Sequence, residues 1–368
     1  MAKSVGNVFD MQGGLIRNSS TSDDTYYCIK PHGAAVYMEQ GTFTMSGGTI
    51  KECYADKTAD SKGGAVYITG DDNTSFTMSG GEIRECRANA DGGAVCLEGG
   101  SVTINGGTIY GNVAYNGNGG AVSVMGGSFT MDSTNEDTPA VITQNVAFDR
   151  GGGTNGNGGG IYVASVSGGS RSIDVVLEKG SITANSSDRN GGGVCIDMQS
   201  NVETELTVNV GEESIGPATN AMKVDGNNAQ NKGGGMYVNG ANANVVLYDG
   251  YVLDNETSSY QINPDIAVDG GLVTLMKPGI TTQVTVTFSN NAQFYTGGTM
   301  ADETSVQYVV AASRSRLNAN PFTQINDYYN TFTGWYTRRD PGDSKGKSYA
   351  DKALESFDED ITLYAQWE

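Results

Sequence analysis

The chain has 368 residues, 53 of them glycine. The glycines lack the third-residue period of collagen, and β-branched and aromatic residues are too plentiful for a disordered linker. A net charge of −20, from 22 basic and 42 acidic residues, argues against nucleic acid or an anionic membrane surface as partner, and no apolar run is long enough to span a bilayer.

The N-terminus lacks the apolar core of a secretion signal. Phe9 and Met11 read as the middle of a repeat, so the chain is expected to be a monomeric piece of a longer protein. A sextet then recurs. It runs GAAVYM from Gly33, GGAVYI from Gly63, GGAVCL from Gly92, GGAVSV from Gly119, GGGIYV from Gly158, GGGVCI from Gly191 and GGGMYV from Gly233. The apolar residue after the small triplet falls at Val36, Val66, Val95, Val122, Ile161, Val194 and Met236. The uneven steps between these positions come from polar stretches such as 132–139 and 199–205, as expected of loops between fixed strands.

Each unit carries three strand signals. In the sextet, alternation places Val66 with Ile68, and Val95 with Leu97, on one face. The second signal reads Phe43-Thr44-Met45, Phe76-Thr77-Met78, Val102-Thr103-Ile104 and Phe129-Thr130-Met131, with threonine outward and a Gly-Gly bend often following. The third is I-x-x-[N/C]-x-A, with Asn112, Asn145, Asn185, Asn227 and Asn255, and Cys53 and Cys86, in the fourth slot. Asparagine at one position of successive coils predicts a stacked amide ladder at an inward corner. Cys53 and Cys86 would fill the same small slot, and their spacing leaves open whether they are bonded. Three strands per turn of this length predict an all-β fold, a parallel β-helix of about eight coils over residues 1–280.

These sextets and corners resemble the GGA[I/V]-type right-handed β-helices of bacterial surface proteins and adhesins, over about residues 8–275. The resemblance implies an extracellular or cell-surface location. After Gly270-Gly271 the pattern changes to VTVTF at 284–288, FTGWYT at 332–337 and TLYAQW at 362–367. These resemble the Listeria–Bacteroides repeat, related to the internalin B-repeat. The likeness implies a small β-grasp-like module over 281–368 that could cap the open end of the solenoid. Trp335 and Trp367 both fall in it and suit its core.

The single histidine, His32, has no recognisable nucleophile or acid beside it. No metal motif is present and no cofactor is signalled. Acidic pairs at Asp71-Asp72, Glu136-Asp137 and Glu212-Glu213 could hold calcium but lack a calcium-loop pattern. The outward column of Tyr37, Tyr67, Tyr162 and Tyr237 offers apolar rings with polar tips, suited to a glycan or protein contact; ordinary strand propensity explains it as well. The expectation is a non-catalytic bacterial surface adhesin or binding stalk, its partner a host glycan or a host or bacterial surface protein. The alternative is a polysaccharide lyase or glycoside hydrolase built on the same fold.

Overall fold

A computed structural model describes residues 7–17, 32–133, 138–165, 172–198, 206–211, 222–240, 242–248, 251–258, 265–269, 272–275, 283–289, 305–311, 332–336, 348–349 and 361–367. Among these residues the secondary structure is all β, with no helix. The repeated region is built of parallel sheets, a pattern consistent with a solenoid.

The sextets form an eight-stranded parallel sheet: Val36–Met38, Val66–Thr69, Val95–Gly99, Val122–Val124, Ile161–Ala164, Val194–Asp197, Met236–Asn239 and Ile266–Asp269. Each strand pairs with the sextet of the next repeat. Val36 lies opposite Val66 and Val66 opposite Val95, and the column continues through Val122, Ile161, Val194 and Met236 to Ile266. The last strand has no glycine sextet of its own in the sequence. The second signal stacks likewise, with the Phe9, Phe43 and Phe76 rings 4.8 and 4.7 Å apart and nearly parallel. Inward positions form one continuous apolar core, in which Phe76, Met78, Val122, Phe129 and Ile182 are fully buried. Burial of this kind contributes about 1.5–3 kcal/mol for each large side chain.

The second and third signals share one sheet because Thr74–Arg84 and Ser101–Tyr110 run through both, turning at Gly81 and Gly107 with φ of 86° and 90°. The third signal is not a single strand. It breaks into a pair such as Thr49–Lys51 and Tyr54–Ala55, and the second halves form a separate seven-stranded sheet. The break is a left-handed residue just before each buried Asn or Cys: Glu52, Glu85, Gly111, Gln144, Ala184, Gly226 and Asp254, with φ between 53° and 64°. Only two of these are glycine, so the corner holds the others in a costly conformation.

In the sextet the first glycine also takes positive φ, and the second is fixed by close packing. A Cβ on Gly64 would lie 2.1 Å from the carbonyl oxygen of Gly93. The pair recurs because each repeat rests its backbone directly on the next.

Beyond the repeats, Leu272–Leu275 pairs in parallel with Ser305–Ala311. That strand pairs antiparallel with Gln283–Ser289, which runs parallel to Ile361–Trp367. Phe332–Tyr336 joins the far side of Ile361–Trp367, and Ser348–Tyr349 joins Phe332–Tyr336. An edge of the repeat sheet is therefore met by a strand of the C-terminal segment. The side chains of Trp335 and Trp367 lie outside what is described.

Candidate functional site

The structure brings the five corner asparagines into one buried file. Each sends its backbone N–H and its side-chain amide to the Oδ1 of the next: Asn112 to Asn145, Asn145 to Asn185, Asn185 to Asn227 and Asn227 to Asn255, all at 2.9–3.0 Å. A backbone N–H can only donate, which fixes each Oδ1 as acceptor. The same amides reach back to carbonyls of the preceding repeat, as Asn185 does to Ile142 at 3.0 Å. Cys86 precedes the file, its N–H donating to Asn112 Oδ1. Cys53 and Cys86 are free, buried thiols, donating to the carbonyls of Lys51 and Arg84, each at 3.3 Å. Hydrogen bonding with Cys53 and then burial push the Cys86 thiol far above its ordinary range.

A second ladder, not anticipated from the sequence, occupies the residue before each glycine pair. Asn118 donates its N–H and side-chain amide to Asp91, and Asn157 donates likewise to Asn118. Asn190 then donates to Asn157 at 3.2 Å. The recurring polar residue ahead of Gly92, Gly119, Gly158 and Gly191 was the available signal.

The tyrosine column is not the open contact face expected of it. Tyr67, Tyr162 and Tyr237 are 6%, 9% and 8% exposed, and Tyr37 is half-buried. The reason is size alternation between repeats. Tyr67, Tyr162 and Tyr237 lie opposite Cys96, Cys195 and Ala267 of the following strand. The tyrosines lean across these small neighbours and donate their hydroxyls to the acid two residues beyond. Tyr67 reaches Glu98 at 2.7 Å, Tyr237 reaches Asp269 at 2.7 Å, and Tyr162 reaches Asp197 at 3.4 Å. Tyr162, Cys195, Tyr237 and Ala267 thereby form a second apolar cluster with Ala164.

In two of these clasps a lysine completes the set. Lys62 meets Glu98 and Lys232 meets Asp269, both at 2.8 Å, and each lysine immediately precedes a glycine pair. Burial, then the hydrogen-bonded carboxylate, push the phenols of Tyr67 and Tyr237 well above the tyrosine range, so they remain donors. Burial opposes ionisation of Glu98, but hydrogen bonds from Lys62 and Tyr67 outweigh it and hold the carboxyl below its ordinary range. His32 belongs to this assembly. Its ring stacks on Tyr67 at 4.6 Å, and its Nδ1 accepts the Lys62 N–H at 3.0 Å.

The exposed chemistry lies elsewhere, on the outer side of the seven-stranded sheet. Arg87 stands over Tyr54 at 4.9 Å and against Tyr115 at 5.7 Å; Arg150 stands over Tyr115 at 4.2 Å and against Phe148 at 5.2 Å. Tyr54, Tyr115 and Phe148 are half-buried and Arg150 is exposed. Asp56 pairs with Arg87. These residues come from four successive repeats, so no linear motif announces them.

No family model, curated protein or solved structure matches this chain.

Of the acidic pairs, Asp71-Asp72 lies in a turn where Asp71 accepts the Asn73 N–H. Glu136-Asp137 and Glu212-Glu213 fall outside the described residues, as do residues 134–137 and 199–205 of the two polar loops and Cys28. Among the described residues, no three His, Cys, Asp or Glu side chains gather as a metal site.

Proposed function

We propose that the chain is a right-handed parallel β-helix of about eight coils with a β-grasp-like module behind it, serving as a non-catalytic bacterial surface adhesin or binding stalk. The right-handed sense follows the general preference of parallel crossover connections. The β-grasp reading draws on the C-terminal strand order, in which Gln283–Ser289 and Ile361–Trp367 form a central parallel pair flanked by antiparallel neighbours. The extracellular location rests on the resemblance of the sextets and of the FTGWYT and TLYAQW segments to surface-protein repeats.

One observation carries the functional reading. The sextet column keeps register from Val36 to Ile266, so outward side chains on different coils are held at fixed spacing. Such a body can meet an extended partner through many modest contacts made together. The test is retention of the purified chain on an array of glycans and surface proteins, with an assay for released sugar fragments run beside it. Binding without fragment release is expected. Fragment release would replace this reading with the lyase or hydrolase one, and failure to retain any partner would remove the binding role.

A further inference from the structure

The geometry points to the file of Tyr54, Arg87, Tyr115, Phe148 and Arg150 as a binding site for a linear acidic polysaccharide carrying carboxylates on alternate sugar rings. This rests on the binding-stalk reading and names its ligand class.

The residues alternate along the stack. Tyr54 and Arg87 occupy one column of paired strands. Tyr115 follows in the next repeat, its N–H bonded to the carbonyl of Ala88, and Phe148 in the one after, bonded to that of Ala114. Adjacent strands stand about 4.8 Å apart. The paired column of Tyr54 and Arg87 continues with Val113 and Val146, and Tyr115 lies two residues beyond it. The alternation of ring and guanidinium is made by the side chains, with Arg87 against both Tyr54 and Tyr115 and Arg150 over Tyr115. Arg87 and Arg150, two repeats apart, are separated along the stack by about 10 Å.

Three features select the ligand. First, the chain carries a charge of −20, yet in this file Asp56 offsets only Arg87 and Arg189 offsets Asp149, so the Arg150 guanidinium is left over and favours an anion over a neutral partner. Second, a guanidinium stacked on a ring keeps its in-plane N–H donors at the edge, where a carboxylate accepts a bidentate pair. Asp56 engages one terminal nitrogen of Arg87, whose Nε is buried, which leaves the other terminal nitrogen to a ligand; no ion pair involves Arg150 among the described residues, and it offers its full edge. Third, half-buried rings offer apolar faces to the C–H faces of sugars. A linear glycan advances by close to one repeat height per ring, so alternate carboxylates fall at the two arginines. An extended acidic peptide rises about 3.4 Å per residue. Its same-side carboxylates recur about every 7 Å, out of step with the arginines.

The test is titration of the purified full chain with oligosaccharides of alternating uronate and neutral sugar, neutral cello-oligosaccharides of equal length, and poly-glutamate. The uronate series should bind, weakening as salt rises. Arg150→Gln should weaken it by about tenfold with the melting midpoint unchanged, and Tyr115→Ala by a similar factor. Lys223→Gln, an exposed charge on another sheet, should have no effect. Because Arg87 is tied to Asp56, Arg87→Gln is read only beside its melting curve, and Arg150→Gln decides. Equal binding of neutral oligomers or poly-glutamate overturns the proposal, as does uronate binding unaffected by Arg150→Gln. Retention of other glycans or proteins on the array in that case leaves the binding-stalk reading standing. Retention of nothing removes both.

Discussion

Asn255 delivers both its backbone N–H and its side-chain amide to a single carboxylate oxygen of Asp265, each at 3.0 Å. Asp265 thus closes the ladder that begins at Asn112. In a one-directional file of amides the last donor needs an acceptor that requires no onward partner, and a carboxylate is acceptor-only. The second ladder runs the other way along the stack and likewise ends on a carboxylate, Asp91, which accepts from Asn118. Two antiparallel amide files, each terminated by an aspartate, flank the seven-stranded sheet, as Asn112 and Asn118 flank Val113–Ala114.

Position within the file sets the cost of breaking it. Asn185→Ala removes the acceptor of two Asn145 donors and the donor to the Ile142 carbonyl. At about 1–3 kcal/mol per buried group left unsatisfied, the loss should be about 3–5 kcal/mol by urea denaturation. Asp265→Asn keeps a carbonyl acceptor for Asn255 and should cost clearly less. Equal losses would show that the file has no polarity of consequence.

Ser187 stands in the column of Ala55, Ala88, Ala114, Ala147 and Ala229. It is 1% exposed and its hydroxyl has no hydrogen-bond partner. The corner was shaped for a methyl group, and the extra oxygen is desolvated without return. Ser187→Ala should raise stability by about 1 kcal/mol, seen as a higher denaturation midpoint at unchanged slope.

The inward columns and the asparagine file were legible because both follow from local periodicity: every second residue of a strand, every fourth slot of the corner. Tyr67 was misjudged because its burial depends on Cys96, which is small and lies 29 residues away. An outward strand position says nothing of whether a neighbouring repeat leaves room to lie down. The clue was present in the acid two residues beyond that small neighbour, Glu98 after Cys96 and Asp269 after Ala267. Asp265 was missed because an aspartate occupying the slot of the third sextet glycine, Gly235, acquires its meaning only once Asn255 is seen above it. The arginine–aromatic file was invisible for the same reason, since its members meet only after stacking.

The clasp at Glu98 predicts a pH response. Its carboxyl is held below the reference value of 4.5. A lowered folded-state pKa contributes stability above the unfolded value, and that stability is lost as pH falls through the folded value. Wild-type protein should therefore lose stability below about pH 4.5, in part through this residue. Glu98→Gln should be less stable at neutral pH and show a shallower acid dependence. Parallel pH curves for the two proteins would remove Glu98 from the account.

Thiol reactivity tests the burial of the cysteines. Cys53, Cys86, Cys96 and Cys195 are buried and free, and burial raises the Cys96 and Cys195 thiols well above their ordinary range. The thiolate is the reactive form. In a Cys28→Ala background, no thiol should react with a disulfide reagent at neutral pH until denaturant is added, when four should. A fast-reacting thiol in the native protein would contradict the packing of the corner or of the tyrosine column.

The left-handed corner separates strain from space. Ala184 holds φ of 54° where Gly111 and Gly226 occupy the same column. An L-residue there costs about 1–2 kcal/mol, and glycine restores part of that while adding about 0.5–1 kcal/mol of unfolded-chain entropy. Ala184→Gly should therefore stabilise by up to about 1 kcal/mol. Gly120→Ala should do the opposite, because its Cβ would sit 2.3 Å from the carbonyl oxygen of Gly159, a backbone atom that cannot move without separating two repeats. Glycine is then preferred at both positions for different reasons: at 184 because φ is positive, and at 120, where φ is not positive, because of contact between repeats. If Ala184→Gly instead lowers the melting midpoint, the corner does not store the strain its φ implies.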